Sequence, residues 1–206
     1  MARRRADVDL RPESLLGAYA SGAFPMADPE SGRVHYYACD PRCLIPLDDR
    51  FHISKSLARI VRSGRFTIRY DTMFAQVIRA CAGDRDEENR NWISDAMIAA
   101  YEELHTLGFA HSVEAWRDDS LVAGLYGVTL GAAFFGESMF SRPEAGGRDA
   151  SKVCLVHLVH TLRERSFQLL DSQYANDHIM RFGAFEILAA EYEVMLEAAV
   201  SAGRKW

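Results

Sequence analysis

The stretch that decides the fold is residues 121–140, LVAGLYGVTLGAAFFGESMF, which is apolar except at one charged position. Its β-branched and aromatic residues and its four glycines favour strands over a membrane-spanning helix. Gly131 marks a turn between two strands, which we predict over 120–128 and 131–139. Glu137 is the one charged side chain, and a buried carboxylate without a partner costs several kcal/mol. We therefore expect the sheet to deliver an acid to a pocket.

The segments around this stretch predict alternating strands and helices. From residue 65 the predicted order is β-α-α-β-β-β-α-β-α, which is typical of an α/β fold of α+β character with a central mixed sheet. Capping residues and stop signals set the limits of the helices. The helices are predicted from Glu13 to Ala20, Ser54 to Ser63, Asp71 to Ala82, Ser94 to Leu107, Ser151 to Arg165, Asn176 to Arg181 and Ala189 to Val200, and the remaining strands over 66–70, 110–116 and 167–172.

The composition of the chain changes near residue 50. Residues 23–50 are rich in Pro, Asp and Gly and hold the aromatic pair Tyr36–Tyr37. We expect irregular structure or short strands there. The sequence therefore predicts a small N-terminal domain at residues 1–48 and a larger domain at residues 49–206.

Length, composition and charge exclude several classes of protein. The chain has 206 residues, of which 49% are apolar and 26% charged, and a net charge of −5. These values are ordinary for a globular protein. The net charge neither indicates nor excludes a nucleic-acid binder, because local patches matter more than the sum. Four scattered cysteines predict no disulfide framework, and residues 1–12 hold no apolar signal-peptide core. We expect a cytoplasmic protein that does not enter a membrane and is a monomer.

Asp171 and Gln173 form the first candidate site, at the end of the strand FQLLDSQ. Side chains two residues apart on a strand face the same way, so the acid and the amide should project together. Such a pair can accept a proton and orient a neighbouring group. The alternative is a strand-end turn in which Asp171 only caps the next segment. Glu137 likewise has the alternative of facing an exposed edge.

Aromatic and basic residues form two further candidates. Tyr36, Tyr37 and Trp92 could stack on a base, or could simply close the core. A second pattern places basic side chains on one stripe of a helix and just beyond it, where they could bind phosphates or form a solvated face. The basic residues are Lys55, Arg59, Arg62 and Arg65.

The sequence predicts no metal and no bound cofactor. Cys39 and Cys43 do not form a C-x-x-C pair, so their spacing does not fit a zinc site with His35 or His52. The chain also contains neither a P-loop nor a G-x-G-x-x-G motif.

Taken together, the motifs resemble the leucyl/phenylalanyl-tRNA–protein transferases over about residues 13–192. The most specific segments are HSVEAW (111–116) and GESMFS (136–141). Others, in the same order along the chain, are LLGAYASGAFPM (15–26), DPR (40–42), FHISKSL (51–57), WIS (92–94), ASKVCLVHL (150–158), LLDSQ (169–173), NDH (176–178) and FGAFEI (182–187).

This resemblance implies a fold and an activity. The fold would be an acetyltransferase-like (GNAT-like) C-terminal domain preceded by a small N-terminal domain. The activity would be transfer of Leu or Phe, and less readily Met, from aminoacyl-tRNA to the N-terminal α-amine of proteins that begin with Arg or Lys. The product would carry an N-terminal residue that marks it for degradation.

The resemblance also implies roles for particular residues. Asp171 would accept a proton, and Gln173 would touch the attacking amine. The aminoacyl-adenosine end would bind near Trp92, Glu137 and Tyr37, although Tyr36 and Tyr37 replace the family's usual tryptophan pair. Other positions would line the amino-acid pocket or its rim, and the basic stripe would contact the tRNA. The pocket positions are Leu125, Phe134, Ser138, Met139 and Asn176.

Two other classes of function stay open from the sequence. One is an acyl-CoA-dependent N-acyltransferase of small molecules, for which GGRDASK (146–152) is the only candidate pyrophosphate turn. The other is a binding module for tRNA or protein without catalysis. In that module, Asp171 and Glu137 could be replaced without loss of activity.

Overall fold

The computed structural model describes residues 8–28, 30–83, 92–203 and 206. The strands are β1 (Phe24–Ala27), β2 (Val34–Tyr37), β3 (Arg42–Leu44), β4 (Thr67–Tyr70), β5 (Ala110–Arg117), β6 (Ser120–Leu130), β7 (Ala133–Ser141), β8 (Leu169–Gln173) and β9 (Phe185–Ile187). The helices are α1 (Pro12–Ala20), α2 (Lys55–Arg62), α3 (Phe74–Gly83), α4 (Asp95–Thr106), α5 (Ala150–Glu164), α6 (Asp177–Met180) and α7 (Ala189–Ser201), with a 3₁₀ turn at Pro143–Ala145.

A seven-stranded mixed sheet forms the centre of the molecule. Its strands follow the order β4-β5-β6-β7-β8-β3-β9, and β1 pairs with β2 in a separate hairpin. All neighbours in the large sheet are antiparallel except β7 and β8, which are parallel. The crossover between these two strands runs through α5, as parallel neighbours require. The prediction of a mixed α/β sheet is confirmed.

Side chains pack against both faces of the large sheet. Successive side chains of each strand point to opposite faces, so each strand contributes to both cores. Tyr126 and Phe135 pack on one face with side chains of α1, α3, α4 and α7. Leu125 and Phe134 pack on the other face with side chains of α2, α5 and the segment around α6. Strands buried on both faces read as continuous apolar runs, which explains the composition of residues 121–140.

Helix caps set several of the predicted limits. Ser54 and Ser94 accept hydrogen bonds from the backbone N–H groups of Leu57 and Met97, at the starts of α2 and α4. Asn176 caps α6 in the same way. The expected cap at Asp71 is wrong, because α3 begins only at Phe74. The Asp71 carboxylate instead accepts from the backbone of Ser112 at 2.8 Å.

The main sheet departs from regular geometry at one point between β6 and β7. Gly127 pairs with Gly136 and Tyr126 pairs with Ser138, so Glu137 is an extra residue without a partner across the ladder. A β-bulge of this kind bends the strand and re-aims the side chain of the extra residue. At Gly127, a Cβ atom would collide with the carbonyl oxygen of Phe135 and the ring of Phe134. Glycine therefore lets the strands approach closely opposite the bulge.

The predicted domain boundary at residue 48 stays a prediction. Strand β3 lies on its N-terminal side, yet pairs with β8 and β9 in the large sheet. The predicted loop over residues 83–91 falls almost wholly outside the described residues. Within the described ranges, no helix is both long enough and apolar enough to cross a membrane.

Candidate active site

A cavity of about 410 Å³ opens where β7 and β8 part. Their ladder runs from Ala133 opposite Leu169 to Phe135 opposite Asp171, and the cavity is bordered by the residues that follow on each strand. Its wall is largely apolar, with polar groups near the end of β8. The apolar residues include Ile45, Leu125, Met139, Leu155, Leu158, Leu170 and Ile179, and the polar ones Glu137, Ser138, Ser151, Asp171, Gln173, Asn176 and His178.

Glu137 lies on this wall and is held by two tyrosines from the opposite face of the sheet. The Tyr19 hydroxyl donates to Oε1 at 2.7 Å, and the Tyr101 hydroxyl donates to Oε2 at 3.2 Å. The two hydroxyl oxygens are themselves 2.5 Å apart. Burial raises the pKa of Glu137 to about 7, although both hydroxyl donors oppose the rise. The bulge therefore presents an acid that is half-buried and whose pKa is raised from its ordinary value.

Asp171 is fully buried at the end of β8 and pairs with Arg42 of the neighbouring strand β3. Arg42 donates Nε to Oδ1 at 2.9 Å and Nη2 to Oδ2 at 2.6 Å. Tyr192 of α7 donates its hydroxyl to Oδ2 at 2.6 Å. Burial works to lower the pKa of Arg42, but the hydrogen bonds and charge of Asp171 raise it above its usual value. The pair is a fully satisfied buried ion pair.

Gln173 ends β8 in an unusual conformation. Its φ of 58° is in the left-handed region, and its backbone N–H donates to Asp171 Oδ1 at 2.9 Å. The residue is 8% exposed and lines the cavity, and among the described residues its Nε2 has no hydrogen-bond partner. Buried donors are almost always paired, so this amide is placed to meet an acceptor on a bound molecule.

The structure brings together most of the residues that were predicted for catalysis and for binding the amino acid or adenosine. Of the predicted positions, those on the cavity wall are Leu125, Glu137, Ser138, Met139, Asp171, Gln173 and Asn176. Asn176 is also the cap of α6, because its Oδ1 accepts from the backbone of His178 at 3.0 Å.

Three predicted positions lie away from the cavity wall. Phe134 is fully buried in the core, with its ring centre 5.5 Å from that of Trp206. Trp92 is partly buried against the core on the α1 and α4 face of the sheet. Tyr37 is 37% exposed on the β1–β2 hairpin. Phe134 packs on the same face of the sheet as Leu125, but it pairs with Thr129, farther along the ladder than the cavity-lining pair Leu125 and Met139.

The four basic residues of the predicted stripe are exposed. Lys55, Arg59 and Arg62 lie on α2, which packs with its buried Leu57 on the α5 face of the sheet. Arg65 follows the helix and donates to the carbonyl of Gly146 at 3.1 Å. A smaller pocket between α2, α5 and α6 adjoins the cavity, because His178 lines both. Lys152 and Arg181 add two cations to that pocket.

Sequence reasoning missed four residues of the site. They are the partners of the two carboxylates: Arg42 and Tyr192 beside Asp171, and Tyr19 and Tyr101 beside Glu137. Arg42 left a signal, because it is part of the quoted DPR motif and opens the apolar run RCLIPL. The three tyrosines could not be identified from the sequence, since a tyrosine on a helix face is an ordinary core residue.

An apolar cavity whose wall holds an acid of raised pKa, and an amide without a partner among the described residues, is typical of an enzyme site that holds an apolar group. The family model for leucyl/phenylalanyl-tRNA protein transferase matches residues 44–197, and the model for that family's N-terminal domain matches residues 8–40. The chain belongs to the leucyl/phenylalanyl-tRNA protein transferase family. The prediction of an aminoacyltransferase with a small N-terminal domain is thereby confirmed.

Individual relatives agree with the family models over nearly the whole chain. A leucyl/phenylalanyl-tRNA–protein transferase from Akkermansia muciniphila is 50% identical over 191 residues, which are 93% of this chain and 96% of the relative. Proteins with the same name from Herpetosiphon aurantiacus and Gloeobacter violaceus are each also 50% identical. They align with 93% and 94% of this chain, and with 95% and 96% of their own lengths.

Two solved structures show a distant likeness. A ribosomal-protein-alanine N-acetyltransferase from Brucella melitensis is 16% identical, with a TM-score of 0.40 over 56% of this chain and 86% of that one. The C-terminal domain of a lysylphosphatidylglycerol synthetase from Agrobacterium fabrum, which that structure's description calls putative, is 15% identical. Its TM-score is 0.45 over 90% of this chain and 61% of that one.

Proposed function

We propose that this protein transfers Leu or Phe, and Met less readily, from aminoacyl-tRNA to the N-terminal α-amine of proteins that begin with Arg or Lys. The observation that carries the proposal is the apolar cavity between β7 and β8, with Glu137 and the amide of Gln173 on its wall. Membership of the family supports the aminoacyl-tRNA as donor rather than acyl-CoA.

The cavity supports the choice of amino acid. Leu125, Met139 and Leu155 form an apolar surface for the side chain of the transferred amino acid. Leu, Phe and Met suit it because none of them is branched at Cβ. Polar side chains would lose their hydration there without gaining partners. One methylene changes selectivity by only about 10- to 200-fold, so the cavity ranks apolar side chains rather than excluding all but one.

The chemistry is aminolysis of an ester. The neutral α-amine attacks the ester carbonyl, and Gln173 is placed to contact the reacting groups through its unpartnered amide. Holding amine and ester together supplies much of the rate enhancement, because esters react readily with amines. The role of Asp171 as proton acceptor remains a prediction. Its carboxylate also holds the backbone N–H of Gln173 in place.

The exposed basic stripe is proposed to contact the phosphates of the tRNA. Lys55, Arg59 and Arg62 project from α2 on the α5 face of the sheet, and α5 lines the cavity. Contacts of this kind release counterions, so binding should weaken steeply as salt rises. Trp92 and Tyr37 are proposed to contact the terminal adenosine, which places that nucleoside beside the β1–β2 hairpin.

The product would carry an N-terminal Leu or Phe and would be marked for degradation by the N-degron pathway. We propose that the protein acts in the cytoplasm as a monomer.

A transfer assay tests the proposal. Radiolabelled Leu-tRNA is incubated with a peptide that begins with Arg, and with the same peptide beginning with Asp as matched acceptor. We expect ribonuclease-sensitive label on the Arg peptide alone, and no label from leucyl-CoA. Label on neither peptide, or label from the acyl-CoA, would contradict the proposal.

The same assay separates tRNA binding from chemistry. Arg59→Ala should raise the KM for Leu-tRNA and flatten its salt dependence by about one unit of log–log slope, with little change in kcat. Arg79→Ala is the matched control, because Arg79 lies on α3 at the opposite face of the sheet and pairs with Glu102. Equal effects of the two substitutions would contradict the assignment of the stripe.

A further inference from the structure

We propose that Glu137 accepts the proton that the α-ammonium group of the acceptor must lose, with Tyr19 and Tyr101 as the residues that position it. This inference rests on the proposed aminoacyl transfer and deepens it, because it assigns the proton acceptor of that reaction to a different carboxylate.

Asp171 has no free lone pair with which to accept this proton. Its two oxygens accept five hydrogen bonds, three from Arg42 and one each from Tyr192 and the backbone of Gln173. A carboxylate offers about four lone-pair sites, so these donors occupy them all. Protonation of Asp171 would also leave the buried guanidinium of Arg42 without its counter-charge, which is costly.

Glu137 has the free capacity that Asp171 lacks. Among the described residues, the hydroxyls of Tyr19 and Tyr101 are its hydrogen-bond donors, one to each oxygen, which leaves lone pairs for a bound amine. The bulge places the residue on the cavity wall together with Gln173. Its pKa of about 7 lies close to the usual 7.7–8.0 of an α-amine, so proton transfer between them is nearly balanced.

Several titratable groups, neutral and charged, face Glu137 from the elements packed around it. Tyr19 on α1 and Tyr101 on α4 lower its pKa through their hydrogen bonds, and the positive charge of Arg42 on β3 also lowers it. The negative charge of Asp171 on β8 raises it. His178 of α6 shares the cavity wall. Burial is the largest influence and sets the direction of the shift.

The tyrosine pair suits this role for a second reason. The hydroxyl oxygens of Tyr19 and Tyr101 lie 2.5 Å apart, and each lies within hydrogen-bonding distance of one oxygen of Glu137. The two hydroxyls have only two hydrogens for these three contacts, so a proton taken up by Glu137 supplies the third. Burial raises the pKa of both hydroxyls, so they remain donors throughout the working range of pH. The two hydroxyls therefore hold the Glu137 carboxylate in position and do not take the proton that it accepts from the amine.

The reaction then balances as follows. The carboxylate of Glu137 takes one proton from the α-ammonium group, and the neutral amine forms the new C–N bond with the ester carbonyl carbon. The C–O bond to the ribose breaks. The ribose oxygen leaves with the second proton of the attacking nitrogen, which produces the peptide bond and a free hydroxyl. Glu137 returns its proton to water as the product departs.

A direct titration tests the assignment without any activity. Difference infrared spectra of the wild-type protein should show a protonated-carboxyl band that disappears near pH 7 and is absent in Glu137→Gln. In Tyr101→Phe the transition should move to higher pH, because a donor that lowers the pKa of Glu137 is lost. A band that survives in Glu137→Gln, or that is lost in Asp171→Asn instead, would overturn the proposal.

The pH dependence of kcat supplies the kinetic test. For an acid that must be ionised, kcat should fall as pH drops below about 7, and Tyr101→Phe should shift that fall to higher pH. The amine of the acceptor peptide also titrates, but its pKa would not follow the substitution. Glu137→Gln should lower kcat by about 100-fold or more with a smaller change in KM, and Glu137→Asp should restore part of the loss.

The outcomes separate this inference from the function on which it rests. If the wild-type protein transfers no amino acid, the proposed function fails. If the wild type is active and Glu137→Gln keeps its kcat within twofold, only the assignment of Glu137 is overturned.

Discussion

At the scale of single residues, two carboxylates on one cavity wall have opposite surroundings. Asp171 lies in an ion pair with Arg42, whereas Glu137 accepts from two neutral hydroxyls in the described part of the chain and has a pKa raised to about 7. Pairs of acids whose environments differ in this way commonly divide a task between them. Here Asp171 holds the end of β8 through Arg42 and the backbone of Gln173, and Glu137 is the carboxylate that we propose meets the substrate.

The buried pair should be important for stability. Asp171→Asn leaves the guanidinium of Arg42 buried without its counter-charge, so we expect a loss of about 3–5 kcal/mol in the free energy of unfolding. Denaturant titration measures the loss. Asp48→Asn is the matched control, because Asp48 pairs with Arg50 through the same fork of contacts at the surface. The control should change little, and a similar loss in both variants would contradict this account.

Of the residues in these two clusters, Glu137 can be identified from the sequence alone, whereas its hydrogen-bond partners cannot. Glu137 could be found because a single charge in a twenty-residue apolar run is conspicuous. Its partners could not, because Tyr19 is 118 positions away along the chain and looks like any core tyrosine. Arg42 and Asp171 are likewise 129 positions apart. Such pairs become visible only when the strands are placed side by side.

At the scale of elements, the bulge in β7 creates the site. Along β7 the side chains alternate between the two faces of the sheet, and the bulge interrupts this alternation at Glu137. Phe134 and Phe135, before the bulge, remain in the two cores. The parallel pairing of β7 with β8 ends just before it, so the cavity forms between the diverging strands.

Gly127→Ala tests the importance of the bulge. A methyl group there would collide with the backbone of Phe135, so we expect a loss of about 1–3 kcal/mol in the free energy of unfolding, together with reduced transfer. Gly17→Ala is the control, since nothing lies within 4 Å of its added Cβ and alanine favours the helix α1. Calorimetry and the transfer assay give the two readouts. An unchanged Tm for Gly127→Ala would contradict the close approach of β6 and β7.

Elements with strong local signals could be predicted and short ones could not. Helices α2 and α4 start at capping serines, and β5, β6 and β7 are long and apolar. Strand β9 has three residues and was not predicted. It exists because β3 offers it a neighbouring edge, not because of its own sequence. The predicted cap at Asp71 is wrong because its long-range partner, Ser112, cannot be identified from the local sequence.

At the scale of the whole molecule, the site depends on both ends of the chain. Arg42 and Tyr19 come from the N-terminal part, Tyr192 from the C-terminal helix α7, and Glu137 and Gln173 from the large sheet between them. The fold class and the family could be predicted from motif order. The cavity could not be predicted, because it forms where β7 and β8 diverge. The sequence alone does not show that these two strands are parallel neighbours in the sheet.

The central claim is that the cavity between β7 and β8 receives the amino acid carried by the tRNA. A crystal structure with phenylalanyl-adenosine, in which an amide replaces the reactive ester, measures this most directly. We predict that the phenyl ring lies between Leu125, Met139 and Leu155, with the amino-acid carbonyl within hydrogen-bonding distance of Gln173 Nε2. A phenyl ring bound outside this cavity, or a carbonyl that does not meet Gln173, would contradict the account.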